Sequence, residues 1–204
     1  VTEKYLLQPY RALCLASTSR YRRELLSRLR LRFDIEAPEV DETALPHESP
    51  RELSVRLAAA KARAVAARHP GALVIGSDQV CALGEEILGK PGTLEAHHAM
   101  LARLSGRTAV FHTAVAIVGI DAGFCREHVD DTRCVFRTLD AAEIAAYCAA
   151  EPALDCAGGF KCEGLGISLL AGFEARDPTA IQGLPLIWVA DALRSADAPR
   201  VPGR

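Results

Sequence analysis

The chain has 204 residues, half of them hydrophobic, with 24 basic and 26 acidic side chains for a net charge of -2. That length suits one α/β domain or two tightly fused lobes with a sizeable core. The charge balance lacks the basic excess of a dedicated DNA or RNA binder, and no stretch approaches the roughly 18 consecutive apolar residues of a membrane span. Val1 to Gln8 contains no long apolar segment ahead of a small-residue cleavage site, so no signal peptide is expected. Seven cysteines, an odd number without any C-x-x-C, fit reduced thiols better than a disulfide framework or a zinc site, which points to the cytoplasm.

In chain order, the apolar run Ala12 to Ala16 reads as a buried strand that ends in a Ser/Thr cluster. A helix follows from about Arg22 to Leu29, with Leu25, Leu26 and Leu29 on one face. Phe33 to Ala37 reads as a second strand, leading into the polar loop Val40-Asp41-Glu42-Thr43. Ser49-Pro50 with Glu52 marks a helix start, and that helix runs to about Arg68 before Pro70. Ala72 to Gly76 reads as a strand with Asp78 just past its end. Val80 to Leu83 and Ile87-Leu88 then form a short hairpin around Gly84-Glu85-Glu86.

Thr93 caps a helix ending at Gly106, and within it the adjacent His97-His98 point to different faces and read as surface residues. Two long strands, Thr108 to Ile120 and Phe124 to Arg137, are joined by Asp121-Ala122-Gly123. Asp140 to Glu143 has capping-box spacing and opens a helix to about Ala150. A glycine-rich loop from Ala157 to Gly166 precedes a strand at Ile167 to Leu170. Pro185 opens the last helix, to about Arg194, and Ala196 to Arg204 reads as a frayed tail. The order of elements predicts an α/β or α+β sheet flanked by helices on both sides, in one domain over 1–195.

Five places carry candidate chemistry. At Ser17-Thr18-Ser19-Arg20-Tyr21-Arg22-Arg23 a strand turns into a helix start, where free N–H groups and the helix dipole favour anions. Arginines there oppose the dipole, whereas a purely structural helix start would prefer acids; the forked guanidinium suits phosphate. Lys61 falls in an apolar stripe with Leu53, Leu57 and Ala64, so it either snorkels to water or meets an anion. Asp78, beyond a strand end, is either a metal ligand or base, or merely a cap. Lys90, in Gly89-Lys90-Pro91, and the acids of Val40-Asp41-Glu42 are weak signals by themselves. No P-loop and no dinucleotide fingerprint is present.

Taken together these segments resemble the Maf-type nucleoside triphosphate pyrophosphatases along nearly the whole chain. The matching pieces are Leu15-Ala16-Ser17-Thr18-Ser19 through Arg22-Arg23-Glu24-Leu25-Leu26, Val40-Asp41-Glu42, Lys61-Ala62, Ile75-Gly76-Ser77-Asp78-Gln79-Val80, Gly89-Lys90-Pro91, Ala157-Gly158 and Gly183-Leu184-Pro185. The resemblance implies a Maf-like mixed sheet, similar to inosine triphosphate pyrophosphatase, with a cleft between two lobes. It also implies hydrolysis of a nucleotide between its α- and β-phosphates with a divalent metal, Mg²⁺ or Mn²⁺, and often a homodimer. Ser17, Ser19 and Arg22 would bind phosphate; Glu42, Lys61, Asp78 and Lys90 would be catalytic, with Glu42 and Asp78 holding metal.

The sequence departs from the commonest family pattern at Arg20, Tyr21, Cys156 and Glu163, where many members have Pro, Arg, Lys and Gln. These departures are similar to the branch that hydrolyses 7-methyl-GTP, whose specificity positions match Tyr21, Gln79 and Glu163. N7-methylation leaves guanine cationic, which an aromatic face and a carboxylate both favour. The alternatives are a dTTP/UTP or other nucleotide pyrophosphatase of the same family, or a nucleotide-binding regulator without turnover.

Overall fold

A computed structural model describes residues 12–197; the segment Val1 to Gln8 and most of the expected tail lie outside the described residues. One seven-stranded mixed sheet holds the chain, in the order β2-β1-β3-β5-β6-β7, with β4 paired to β3. The strands are β1 (Leu13–Ala16), β2 (Asp34–Glu36), β3 (Leu73–Leu83), β4 (Glu86–Leu88), β5 (Thr108–Gly119), β6 (Phe124–Phe136) and β7 (Leu170–Glu174). The helices are α1 (Arg20–Ser27), α2 (Pro50–Ala66), α3 (Leu94–Leu104), α4 (Ala141–Ala150) and α5 (Leu186–Asp197). β1, β2 and β3 run parallel, and every other pairing is antiparallel.

The expected α/β sheet flanked by helices is what forms, and the departures are local. The expected strand Ala72–Gly76 and the first arm of the hairpin are one continuous strand, β3, so Asp78 sits in mid-strand opposite Ala114 rather than past a strand end. The polar triplet Ser77-Asp78-Gln79 interrupts the apolar run and disguises the continuity. Each of its side chains finds a buried partner, so the ladder passes through. The strand expected at Ile167–Leu170 is a 3₁₀ turn over Leu165–Leu169, and β7 starts at Leu170. α1 begins at Arg20, two residues early, and α5 continues through Ala196 to Asp197. His97 is fully buried, its Nε2 bonded to Gly159 O and its ring edge-on to Tyr147 5.8 Å away, which corrects its reading as a surface residue.

Alternation along the long strands assigns the two faces. Leu73 and Ile75 of β3, with Val115 and Ile117 of β5, pack with α1 and α5 in one core. Farther along the same strands, Cys81, Leu83, Phe111 and Phe136 pack with α3 and α4 in a second core. α2 covers the opposite face, its alanines meeting Val74 and Ala116. Between the two cores the strands turn polar at Ser77 to Gln79, Thr113 and Asp130 to Thr132. The lobes expected from the resemblance are thus two cores strung on one set of strands.

Candidate active site

The edge of β3 is interrupted. β1 pairs with its first part, Leu73 to Gly76, and β4 with its last, Cys81 to Leu83, on the side away from β5. Ser77 to Val80 face the gap, and a cleft of about 900 Å³ opens there, bounded by the ends of β1 and β4, by α1 and by the loop before α2. Through this opening the cleft reaches both faces of the sheet: Asp78 on the α2 side and Gln79 on the other.

Gly76 sets the approach of α2. A Cβ at this position would lie 2.4 Å from Ala58 O and from Ala62 N, so only a residue without a side chain lets the helix backbone touch the strand. Lys61, in the turn of α2 thus pressed down, is only 5 % exposed, and its Nζ lies 2.6 Å from Asp78 Oδ1 and 2.6 Å from Glu42 Oε1. Lys61 therefore meets anions rather than snorkelling. Apolar residues in place of such a buried pair would serve stability as well or better, so stability alone does not account for it.

The loop carrying Glu42 is tied at one end to the turn that follows α2 and at the other to α2 itself. Arg68 bonds Glu36 and donates to Ala37 O at 2.9 Å, while Arg56 pairs with Glu48 at 2.6 Å and donates to Thr43 O at 2.9 Å. The bond to Arg56 holds the Glu48 carboxyl down at about 2. Neither arginine is suggested by the sequence pattern, since charged residues on a helix or just past its end usually face water.

The turn into α1 is built as the sequence reading expects. Ser19 caps the helix, its Oγ accepting from Arg22 N at 3.4 Å, and the buried Ser17 accepts from Ser19 N at 3.1 Å. No acid occupies the first turn. Arg22 reaches back to donate from Nε to Gly183 O at 3.0 Å. Burial lowers its basicity, and the carboxylates of Asp78 and Glu42 partly offset that. Arg20 lies at the rim, paired with Asp155 at 3.5 Å, and Arg23 is exposed and lines neither part of the cleft. Lys90, past β4, is exposed on the cleft wall without a carboxylate partner among the described residues. Ser17, Ser19, Arg22, Glu42, Lys61, Asp78 and Lys90 therefore line one cleft.

A smaller recess of about 120 Å³ continues from the cleft between the two cores, and Tyr21, Gln79 and Glu163 line it. The Gln79 amide nitrogen is held by Thr113 Oγ1 and by the carbonyls of Ala180 and Ile181, at 2.9 to 3.0 Å. The Tyr21 hydroxyl accepts from Arg20 at 2.7 Å and lies 3.5 Å from Cys156 Sγ. Burial, with the Cys156 contact, pushes this phenol up to about 12. Phe111 and Phe160, 5.5 Å apart edge to face, form the apolar floor. The aromatic floor was not legible as part of a site, because both rings also belong to a core.

Among the described residues no three His, Cys, Asp or Glu side chains gather as a metal cluster. Two carboxylates, Glu42 and Asp78, converge on one cationic nitrogen. That fits Mg²⁺, which typically takes one or two carboxylates and completes its shell with phosphate oxygens and water.

Comparison with known proteins agrees with this architecture. A "7-methyl-GTP pyrophosphatase" of Xanthomonas campestris pv. campestris (strain 8004) is 59% identical over 184 residues, covering 90% of this chain and 95% of the relative. Proteins of the same name from Aromatoleum aromaticum and Albidiferax ferrireducens are 54% and 49% identical over 186 residues, each covering 91% of this chain and 96% and 94% of the relative. The model of the Maf-like protein family matches residues 12–196, nearly all of the described fold, and the chain belongs to that family.

Proposed function

We propose that the chain is a nucleoside triphosphate pyrophosphatase that hydrolyses 7-methyl-GTP to 7-methyl-GMP and pyrophosphate, acting in the cytoplasm. The observation that carries the chemistry is the meeting of Glu42 and Asp78 on Lys61 Nζ, each at 2.6 Å, inside a cleft that also exposes Arg22 and Lys90. Arg22, Lys61 and Lys90 in one cleft match a triphosphate, and Glu42 and Asp78 remain for metal and water. The names of the relatives supply the base.

In this reading the phosphates lie along the start of α1, where Ser17, Ser19 and the first N–H groups fix them. Arg22, Lys61 and Lys90 neutralise the charge that grows on the departing pyrophosphate. A divalent ion held by Glu42 and Asp78 would add charge neutralisation and make a bound water more acidic. Asp78 orients the attacking water and takes its proton as oxygen bonds to the α-phosphorus and the bond to the β-phosphate's bridging oxygen breaks. Tyr21 offers a π face and Glu163 a carboxylate to the cationic methylated base, an attraction of about 0.5–2 kcal/mol for the ring alone.

Purified protein with Mg²⁺ or Mn²⁺ is expected to release pyrophosphate from 7-methyl-GTP faster than from GTP, dTTP, UTP or CTP. EDTA should stop release and added metal restore it. A profile led by dTTP and UTP would overturn the substrate; binding without pyrophosphate release would return the regulator reading. Replacing Glu163 with Gln should weaken the preference for 7-methyl-GTP over GTP by roughly tenfold, the scale of about 1.4 kcal/mol for one charge contact. An unchanged ratio of kcat/KM values would remove that residue.

A further inference from the structure

Glu163 is exposed and, among the described residues, has no bonded partner; its position is set by the chain around it. It occupies the third place of a tight turn closed by Gly164 N donating to Lys161 O at 3.1 Å. Both feet of this turn rest on the end of α4. Lys161 N donates to Tyr147 Oη at 3.0 Å, and Gly166 N donates to Glu151 Oε2 at 3.3 Å. Gly164 lies directly on the same carboxylate: a Cβ there would come within 2.1 Å of Glu151 Oε1.

Tyr147 stands in the last turn of α4, and Glu151 is the residue that caps it, its backbone N donating to Tyr147 O at 2.8 Å. An acid at a helix C-terminus opposes the dipole, so the Glu151 side chain does nothing for α4 itself. Its carboxylate instead bonds the loop, through Gly166 N, and the Tyr147 side chain. Tyr147 is 5 % exposed; burial drives its hydroxyl well above the usual phenol range, and its oxygen receives the Lys161 N–H.

We propose that Tyr147 and Glu151 are positioning residues that set base discrimination by holding the Lys161–Gly164 turn, and Glu163 with it, at the mouth of the small recess. The inference rests on the assignment of Glu163 to the base. A clamp remote from the phosphates should change how one base is preferred over another while leaving the hydrolytic step in place, because the displaced group touches only the base.

The test is the ratio of kcat/KM for 7-methyl-GTP to that for GTP in wild type, Glu151→Ala, Glu151→Gln, Tyr147→Phe, Glu163→Gln and the Glu151→Ala/Glu163→Gln double variant. Glu151→Ala should lower the ratio by roughly tenfold, mostly through KM for the methylated substrate, with kcat within about threefold of wild type. Glu151→Gln, which keeps an acceptor for Gly166 N, should restore most of the ratio. The double variant should be no worse than Glu163→Gln alone, since the two changes act through one group. Tyr147→Phe removes the other foot and should lower the ratio independently of whether Glu151→Ala folds.

A wild type that prefers 7-methyl-GTP, with Glu151→Ala and Tyr147→Phe ratios unchanged or a double variant that adds the single losses, would overturn the clamp alone. A wild type with no preference overturns the substrate and the clamp together.

Discussion

Replacing Asp78 with Asn should lower kcat by roughly 10²- to 10⁴-fold, the usual worth of a positioned general base, while the protein remains folded. Asn has almost the same shape and keeps an oxygen for Lys61 Nζ, which also retains Glu42 at 2.6 Å. The buried ammonium is therefore not stranded, which is the circumstance that makes loss of one partner of a buried pair cost about 3–5 kcal/mol. What disappears is negative charge at the open edge of β3, and with it the ability to take a proton from water or to hold a cation. Pyrophosphate release measured beside a thermal melt separates the two effects. Turnover within a few-fold of wild type, at an unchanged melting temperature, would remove Asp78 from the chemistry.

The second large effect concerns stability. Gly76→Ala should destabilise the protein by about 1–3 kcal/mol, the cost of overpacking a close contact, and lower its melting temperature by about 2–12 °C for a chain of this size. The atoms a new Cβ would strike, Ala58 O and Ala62 N at 2.4 Å, are helix backbone and cannot swing aside. α2 must lift from the sheet and take Lys61 away from Asp78, so the folded fraction should also lose activity. Gly172→Ala is the control, since its Cβ would meet only Val135 at an ordinary 3.7 Å. A Gly76→Ala protein as stable and active as the control would show that α2 does not depend on this contact.

These two residues illustrate what a single sequence discloses. The helix starts were legible because caps are local: Ser49 caps α2 ahead of Pro50 as expected, and Asp140 with Glu143 form the reciprocal bonds their spacing predicts. The continuity of β3 was not, because its polar centre is tolerated only through partners from elsewhere in the chain: Lys61 for Asp78, Gly183 O for Ser77, Ile181 O for Gln79. His97 failed for the same reason, since its carbonyl partner, Gly159, lies 62 positions away. At the site, the helix start after Ser17 could be recognised from its own residues. Lys61 was visible as an anomaly in an apolar stripe, but no local rule decides between water and an anion. Glu42 and Lys90 gained meaning only from the resemblance, and Arg56, Arg68, Tyr147 and Glu151 gave no signal, being ordinary residues of a helix or its end until the loops they hold are known.

β3, β5 and β6 pass without a break from one apolar core to the other, and this limits how the molecule moves. A cleft between separate bodies can close by rotation about a hinge. Here such a rotation would have to bend hydrogen-bonded ladders that run from Val74 to Ala82 and from Thr108 to Gly119. The segments that border the sheet, the stretch bearing Glu42 and the turn bearing Glu163, are themselves tied down by side chains of α2 and of the end of α4. Lys61 and Asp78 stand on that stiff frame, and the stretches bearing Glu42 and Glu163 are fastened beside it through Arg56, Arg68, Tyr147 and Glu151, so the cleft is built to take a nucleotide with little rearrangement.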